Sequence, residues 1–239
     1  ELERVAAELR AAGTRVVAVP ADVTSAEGRE ALVSTAVREL GGIDVLVNNA
    51  GVMGVGYFHT LPAEEIERTV AVNLVAPMLL TQLVLPVMLE RGSGHVVNIS
   101  SLSSKNPAPF IEPYAASKAG ILAFTKSLRL EYHDRGISAS AIIPGLVRDA
   151  GVFEAQRRTT EVRVSALLGT TTPDAVASAV VKAIRRDLVE LFVNPQPLRP
   201  SVVLGELFPS LSLALTRRFG APIYRPMARD RAARGDGGE

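Results

Sequence analysis

The sequence has no cysteine and no tryptophan, and only three histidines, His59, His95 and His133. Without cysteine there is no disulfide, no thiolate metal site and no cysteine nucleophile. The histidines are scattered, with no spacing that fits a metal site, so no metal is expected. An excess of charge is also missing: 26 basic against 25 acidic groups leave +1 over 239 residues. A general nucleic-acid binder needs a clustered cationic surface, so nucleic acid is not an expected partner. Disorder is excluded by 47% hydrophobic and only 21% charged residues. No run reaches the roughly 18 apolar residues of a membrane span. Asn73, Pro77, Thr81, Gln82 and Pro86 interrupt the most apolar stretch, 70–89, which reads as a buried or subunit-interface helix. Finally, no Gly-x-Gly-x-x-Gly occurs anywhere. The chemistry is left to hydroxyls, carboxylates, amides, lysine and arginine.

What is present alternates. Short β-branched runs at 15–19, 43–47, 95–99, 138–142 and 188–193 read as strands, and continuous apolar runs suit strands buried on both faces of a parallel sheet. Longer helical patterns cover about 25–40, 63–91, 113–135 and 173–186, the last entered through Thr172-Pro173, a cap followed by a first-turn proline. Such alternation predicts one α/β domain, a doubly wound parallel sheet spanning 1–226. Residues 227–239, rich in arginine and glycine, read as a flexible tail. Segment 201–219 reads as an amphipathic packing helix, in preference to a membrane-surface contact. Glu1 falls inside a helical pattern carried by Leu2, Val5, Ala6 and Leu9, so the natural chain is expected to begin earlier, and any targeting signal would precede it.

In a doubly wound sheet, ligands bind beyond the carboxyl ends of the strands. There the sequence places Pro20-Ala21-Asp22-Val23-Thr24, Asn48-Asn49-Ala50-Gly51, Ser100-Ser101 and Ile143-Pro144-Gly145. Small or polar groups at four aligned positions on one rim are more than the general polarity of loops explains. Tyr114 and Lys118 add a second signal. Pro113 suits the first helical position, so Tyr114 sits in the first turn, and a spacing of four puts both side chains on one face. The chain has four lysines against 22 arginines, yet lysine stands at tyrosine plus four. A compact ammonium acts on a neighbour as a point charge, which a planar guanidinium does less well.

These residues together resemble the short-chain dehydrogenase/reductase family in its classical branch. Asn48-Asn49-Ala50-Gly51 is similar to its NNAG motif and Tyr114-Ala115-Ala116-Ser117-Lys118 to its YxxxK. Asn98-Ile99-Ser100-Ser101 is similar to the strand that ends in the catalytic serine, 13 residues before the tyrosine. Asn73 in Val72-Asn73-Leu74 matches the asparagine of the tetrad. The resemblance covers about residues 1–190. It implies a Rossmann-type fold and an NAD(P)(H)-dependent enzyme that interconverts a secondary alcohol and a carbonyl, with Asn73, Ser101, Tyr114 and Lys118 as catalytic residues. It implies cofactor contacts from Asp22, Val23, Asn48, Ala50, Gly51, Tyr114, Lys118, Pro144, Gly145 and Val147. It also implies a homodimer or homotetramer formed through 63–91 and 113–135, with Leu74, Met78, Gln82, Leu85 and Leu89 in the contact, and a cytoplasmic location.

On this reading Tyr114 is the general acid/base. A free tyrosine has a pKa of about 10, and Lys118 is expected to draw it down towards working pH. Ser101 would hold the substrate oxygen as charge develops, and Asn73 a water that links Lys118 to solvent. Phe110, Val152, Phe153, Leu167, Leu168 and the apolar 201–215 stretch point to an apolar substrate such as a steroid, retinoid, acyl chain or xenobiotic ketone. The alternative is a noncatalytic dinucleotide sensor or scaffold on the same fold.

Two departures stand out. The family opens with a strand, a Gly-rich turn, a helix and a second strand, and none of these is in this sequence. In the implied strand order those two strands would lie between 15–19 and 43–47, so these two are expected not to pair directly. The choice between NAD and NADP is unreadable for the same reason. Asp149 stands where the family often has a threonine beside the nicotinamide.

Overall fold

A computed structural model describes residues 1–157, 169–196 and 198–234. The elements run α1 (Leu2–Ala11), α2 (Ala26–Leu40), β1 (Val45–Asn48), α3 (Ala63–Val70), α4 (Ala76–Arg91), β2 (Gly94–Ile99), α5 (Glu112–Tyr132), β3 (Ile137–Pro144), α6 (Gly151–Arg157), α7 (Pro173–Arg186), β4 (Glu190–Val193), α8 (Leu198–Leu207), α9 (Pro209–Phe219) and α10 (Ala221–Arg234). The four strands are all parallel, in the order β1-β2-β3-β4.

Period-two alternation sorts the strand residues between two helical layers. On one face Val96 and Ala139 pack with Val84, Leu85 and Met88 of α4 and Leu128 of α5. On the other, Val97 and Ile142 meet Ala179 and Ala183 of α7. α7 starts as its sequence dictates: the Thr172 hydroxyl accepts from Ala175 N at 3.2 Å and Pro173 follows.

Three expectations are corrected. Residues 15–19 form no strand. A strand exists only through ladder hydrogen bonds to a neighbour, and none joins this segment to β1, in line with the expectation that the two do not pair. The far edge of β1 is open, with Val45 and Val47 exposed. Segment 201–219 is two helices, divided at Phe208 before Pro209, because proline cannot donate into a continuing helix. The supposed tail from 227 is largely helical: α10 runs to Arg234, and Met227 and Ala228 are buried. Arg231 fixes it to α3 by a bidentate pair with Glu65, at 2.9 and 2.7 Å.

The helix expected over 63–91 is interrupted by a wider π turn, Ala71–Val75, between α3 and α4. By length and composition Ala63–Arg91 is apolar enough to cross a membrane, and a third of its most apolar window is buried in the fold. Leu85 faces the core and not the outside. The exposed apolar residues here are instead Val75 of the π turn and Met78 and Leu83 of α4.

Candidate active site

Three strand ends converge on the first two turns of α5. β1 runs out into Asn49–Gly51, β2 into Ser100 and Ser101, and β3 into Gly145. The approach to α5 is strained: Phe110 has a φ of 74°, where a bulky side chain is an outlier. Its carbonyl accepts from Gly56 N at 3.0 Å, its N–H donates to Glu112 Oε1 at 3.0 Å, and its ring meets Tyr57 edge-on at 5.4 Å. These contacts hold the turn that delivers Ile111, Pro113 and Tyr114.

Tyr114 and Lys118 both lie on the buried face of α5, 8% and 5% exposed. Lys118 Nζ donates to the Ile99 carbonyl at 2.9 Å and lies 5.7 Å from the Tyr114 ring centre. Ser101 opens a 3₁₀ turn, with its Oγ accepting from Ser103 N at 3.2 Å, and lies near enough to the Tyr114 phenol to act on its ionisation. Behind it, Ser100 Oγ donates to the Lys118 carbonyl at 2.9 Å. Serine, tyrosine and lysine, spread over 17 residues of sequence, are thus brought close together.

Asn73 sits in the π turn, the kind of helix distortion that collects at functional sites. Its Oδ1 accepts from Val52 N at 2.9 Å, and its Nδ2 donates to the Val52 carbonyl at 2.8 Å and to Ser117 Oγ at 3.1 Å. The side chain therefore clamps the loop after β1 onto α5. Both of its amide N–H groups thus donate to protein partners. Gly51 is where that loop comes closest: a Cβ there would lie 3.3 Å from Asn73 Oδ1 and 3.6 Å from Lys118 Nζ.

Asn48 does fix the strand ends. Its Nδ2 donates to Asn98 Oδ1 at 2.8 Å and to Thr81 Oγ1 at 3.3 Å, while Asn98 Nδ2 donates to Thr125 Oγ1 at 2.9 Å. Thr81, Asn98 and Thr125 have no exposed surface. This chain of amides and hydroxyls ties α4, β1, β2 and α5 together. Asn98→Ala takes one hydrogen bond from each of two buried partners, Asn48 and Thr125, and is expected to cost about 2–3 kcal/mol. Urea unfolding checks this; a loss below about 1 kcal/mol would show that the network relaxes around the gap.

The charges at the site follow from burial. Desolvation lowers the Lys118 pKa to about 8. Tyr114 moves the opposite way from the expectation. Burial raises its pKa, the Ser101 hydrogen bond draws it partly back, and the Lys118 ammonium is not among the causes. The phenol is thus held in its protonated form.

Two cavities flank these residues. One, of about 620 Å³, runs along the open edge of β1, with Val23, Asn48, Asn49 and Ala50 on its wall. The other, of about 570 Å³, opens from Ser101 and Gly145 under α8, α9 and α10; it touches the reactive group. Of the remaining expected residues, Asp22, Pro144 and Val147 stand outside both cavity walls. Asp22 is pinned in a turn, with its Oδ1 accepting from the Thr24 N–H and hydroxyl at 2.8 Å each, which hold its carboxyl below the ordinary range. Pro144 ends β3, and Val147 forms an isolated parallel bridge with Thr171. Asp149 has a left-handed backbone, φ 68°, a conformation that aspartate tolerates better than threonine. Of the residues tied to an apolar substrate, Phe110, Val152 and Phe153 pack into the core cluster around Tyr114. Leu167 and Leu168 lie outside the described residues.

Tyr224 was not foreseen. It is buried in the cluster with Tyr114 and Phe153, meets the Phe153 ring edge-on at 6.1 Å, and lines the cavity that starts at Ser101. Burial, and then the neighbouring Tyr114 phenol, raise its pKa. The spacing of Ile223, Tyr224, Met227 and Ala228 was the available signal, but it is set among arginines that make the stretch look solvated.

The short chain dehydrogenase family model matches residues 1–161. The chain belongs to the short chain dehydrogenase family. It is similar to the ketoacyl reductase HetN of Nostoc sp., with 40% identity over 219 residues, covering 89% of this chain and 74% of that protein. It is similar to a putative ketoacyl reductase of Streptomyces coelicolor, with 43% identity over 142 residues, 59% of this chain and 54% of that protein. The chain thus spans about three quarters of the first relative and about half of the second. Its fold is similar to that of a short chain dehydrogenase/reductase from Burkholderia phymatum crystallised with NAD, with TM-score 0.77 and 24% identity over 88% of this chain and 82% of that one. Membership in the short chain dehydrogenases makes the chain an oxidoreductase with a Rossmann-like parallel sheet.

Proposed function

We propose that this oxidoreductase reduces a ketone on an apolar, acyl-type substrate at the expense of NADH or NADPH, with Tyr114 as the acid. The observation that carries this reading is Tyr114 and Lys118 on one buried helix face, with Ser101, close to the Tyr114 phenol, on the wall of the 570 Å³ cavity. The rim residues around Gly51 and Gly145 would hold a nicotinamide cofactor, which would supply the hydride when bound. The rim residues fit its riboside end. Lys118 Nζ uses one donor on Ile99 and faces Gly51, where a missing side chain leaves room for a sugar hydroxyl. Ser101 donates to the substrate oxygen, and the bond strengthens as charge develops there. Tyr114 transfers its proton to that oxygen, and a phenol kept protonated by burial suits this direction. Asn73 is a positioning residue that holds the cofactor loop against α5.

Support for the substrate class comes from the cavity wall, which includes Val202, Phe208, Leu211, Leu215, Phe219 and Ile223, and from the two relatives named as ketoacyl reductases. Oxidation of NADH and NADPH, followed by absorbance with 3-oxoacyl thioesters of increasing chain length, tests it. Catalytic efficiency is expected to rise with chain length. Turnover independent of length would remove the acyl assignment, and cofactor binding without turnover of any ketone would favour a dinucleotide sensor.

We also propose self-association through α4 and α5. The outer face of α5 offers Ala116, Ala119, Ala123 and Leu130, alongside exposed Val75 of the π turn and Met78 of α4. Small residues let two helices approach closely, and burial of the apolar neighbours stabilises the pair. Sedimentation at micromolar concentration is expected to show a dimer or tetramer, and a monomer would contradict the proposal.

A further inference from the structure

α9 is apolar, yet it has no buried residue. Leu211 and Leu213 are 59% and 61% exposed, and Leu207 of α8, just before it, is 67% exposed. Val203, Leu204, Phe208, Leu215 and Phe219 are exposed as well, which makes eight large apolar side chains in 17 residues. Folded chains rarely leave so much contiguous apolar surface without a partner.

The charge beside this patch is mostly positive. Residues 198–234 carry seven arginines against Glu206 and Asp230, a net +5 in a chain whose total is +1, so the remainder carries −4. Arg217, Arg218, Arg225 and Arg229 are exposed at the end of α9 and along α10, and Arg218 lies over the Phe219 ring, 5.6 Å from its centre. Apolar side chains bordered by exposed arginines are what an interfacial helix presents to a bilayer with anionic headgroups. The patch is also continuous with the site: Leu204, Phe208, Leu211, Leu215 and Phe219 are exposed and also line the 570 Å³ cavity that reaches Ser101.

We propose that α8 and α9 form a peripheral docking surface for an anionic lipid membrane, and that the mouth of the substrate cavity opens onto that membrane. The docking surface stands apart from the proposed reaction. Only the second point, entry of an apolar substrate from the bilayer, rests on the proposed function.

Co-sedimentation of the protein with vesicles of phosphatidylcholine alone, and of equal parts phosphatidylcholine and phosphatidylglycerol, tests the surface by a readout that does not depend on turnover. Binding to the anionic vesicles is expected to exceed binding to the neutral ones by about tenfold or more and to weaken with salt. Leu207 and Leu213 are exposed and lie outside the cavity wall. The double variant Leu207→Ser/Leu213→Ser is therefore expected to fold, to turn over a soluble short-chain ketone normally, and to lose about tenfold in vesicle binding. Arg217→Ser/Arg218→Ser is expected to abolish the preference for anionic lipid while keeping the far-ultraviolet spectrum of the parent. No vesicle binding, or equal binding to both compositions, overturns the proposal. So does a Leu207→Ser/Leu213→Ser variant that binds vesicles like the parent but sediments as a smaller oligomer, which would assign the face to a second copy of the chain. If vesicles bind as expected and no ketone is turned over, the docking surface stands and the reductase reading fails.

Discussion

Replacing Tyr114 by phenylalanine is expected to lower turnover by about 10²–10⁴-fold, the usual worth of a positioned general acid. The substitution removes one oxygen from a side chain that is 8% exposed and otherwise packs in the cluster with Met53, Ile111, Phe153 and Tyr224. The ring remains to fill that space, so stability is expected to change by about 1 kcal/mol or less. Cofactor affinity, read by quenching or energy transfer to NADH or NADPH, is expected to stay nearly the same. A variant that keeps half its turnover would pass the role to another acid, such as Tyr224 in the same buried cluster. A variant that instead loses cofactor binding would make Tyr114 part of the binding surface alone.

Lys118→Met is expected to raise stability near neutrality while removing activity. The lysine is 5% exposed and its pKa falls from 10.5 to about 8. The unfolded chain holds the proton to about 10.5 and the fold only to about 8, so the cost of burying the ammonium is fully present below pH 8. It fades as pH rises from 8 to 10.5, where the unfolded state binds more protons than the native one. That difference corresponds to about 3 kcal/mol. Methionine of similar length keeps the packing and loses the hydrogen bond to Ile99, worth about 1 kcal/mol. A net gain of about 1–2 kcal/mol is therefore expected at pH 7, shrinking to nothing or reversing by about pH 10. Urea unfolding at the two pH values measures it. A variant less stable than the parent at pH 7 would show that the buried ammonium is stabilised by more than the Ile99 carbonyl. Tolerance of such a group in the parent fits a residue retained for its chemistry.

Much of this site could be read in one dimension because its parts are local. The Tyr114–Lys118 pair depends only on helical spacing, and Ser101 only on where β2 ends. The cores of the strands and helices were legible for a similar reason, since β-branched runs and capped helical patterns are local signals. What escaped depends on distant partners. Residues 15–19 have strand composition, but a strand also requires a neighbour to pair with. Asn98 lay in the motif, yet its bonds to Asn48 and Thr125 cross 50 and 27 residues. The π turn around Asn73 leaves no compositional mark. Tyr224 was hidden because the arginines around it signal solvent, while α10 buries its apolar face against the cluster around Tyr114. The direction of the Tyr114 shift was misjudged because sequence spacing gives proximity to Lys118 and not the depth of burial, which is the larger influence.

The pH dependence of ketone reduction under saturating substrate and cofactor, measured for the parent and for Tyr114→Phe, tests most directly whether the Tyr114 proton reaches the substrate. For the parent, the rate is expected to hold through neutrality and to fall at alkaline pH as the phenol ionises. The residual rate of Tyr114→Phe is expected to lack that alkaline fall. The same fall at the same pH in both proteins would mean that the titrating acid is another group, and would contradict the assignment of Tyr114.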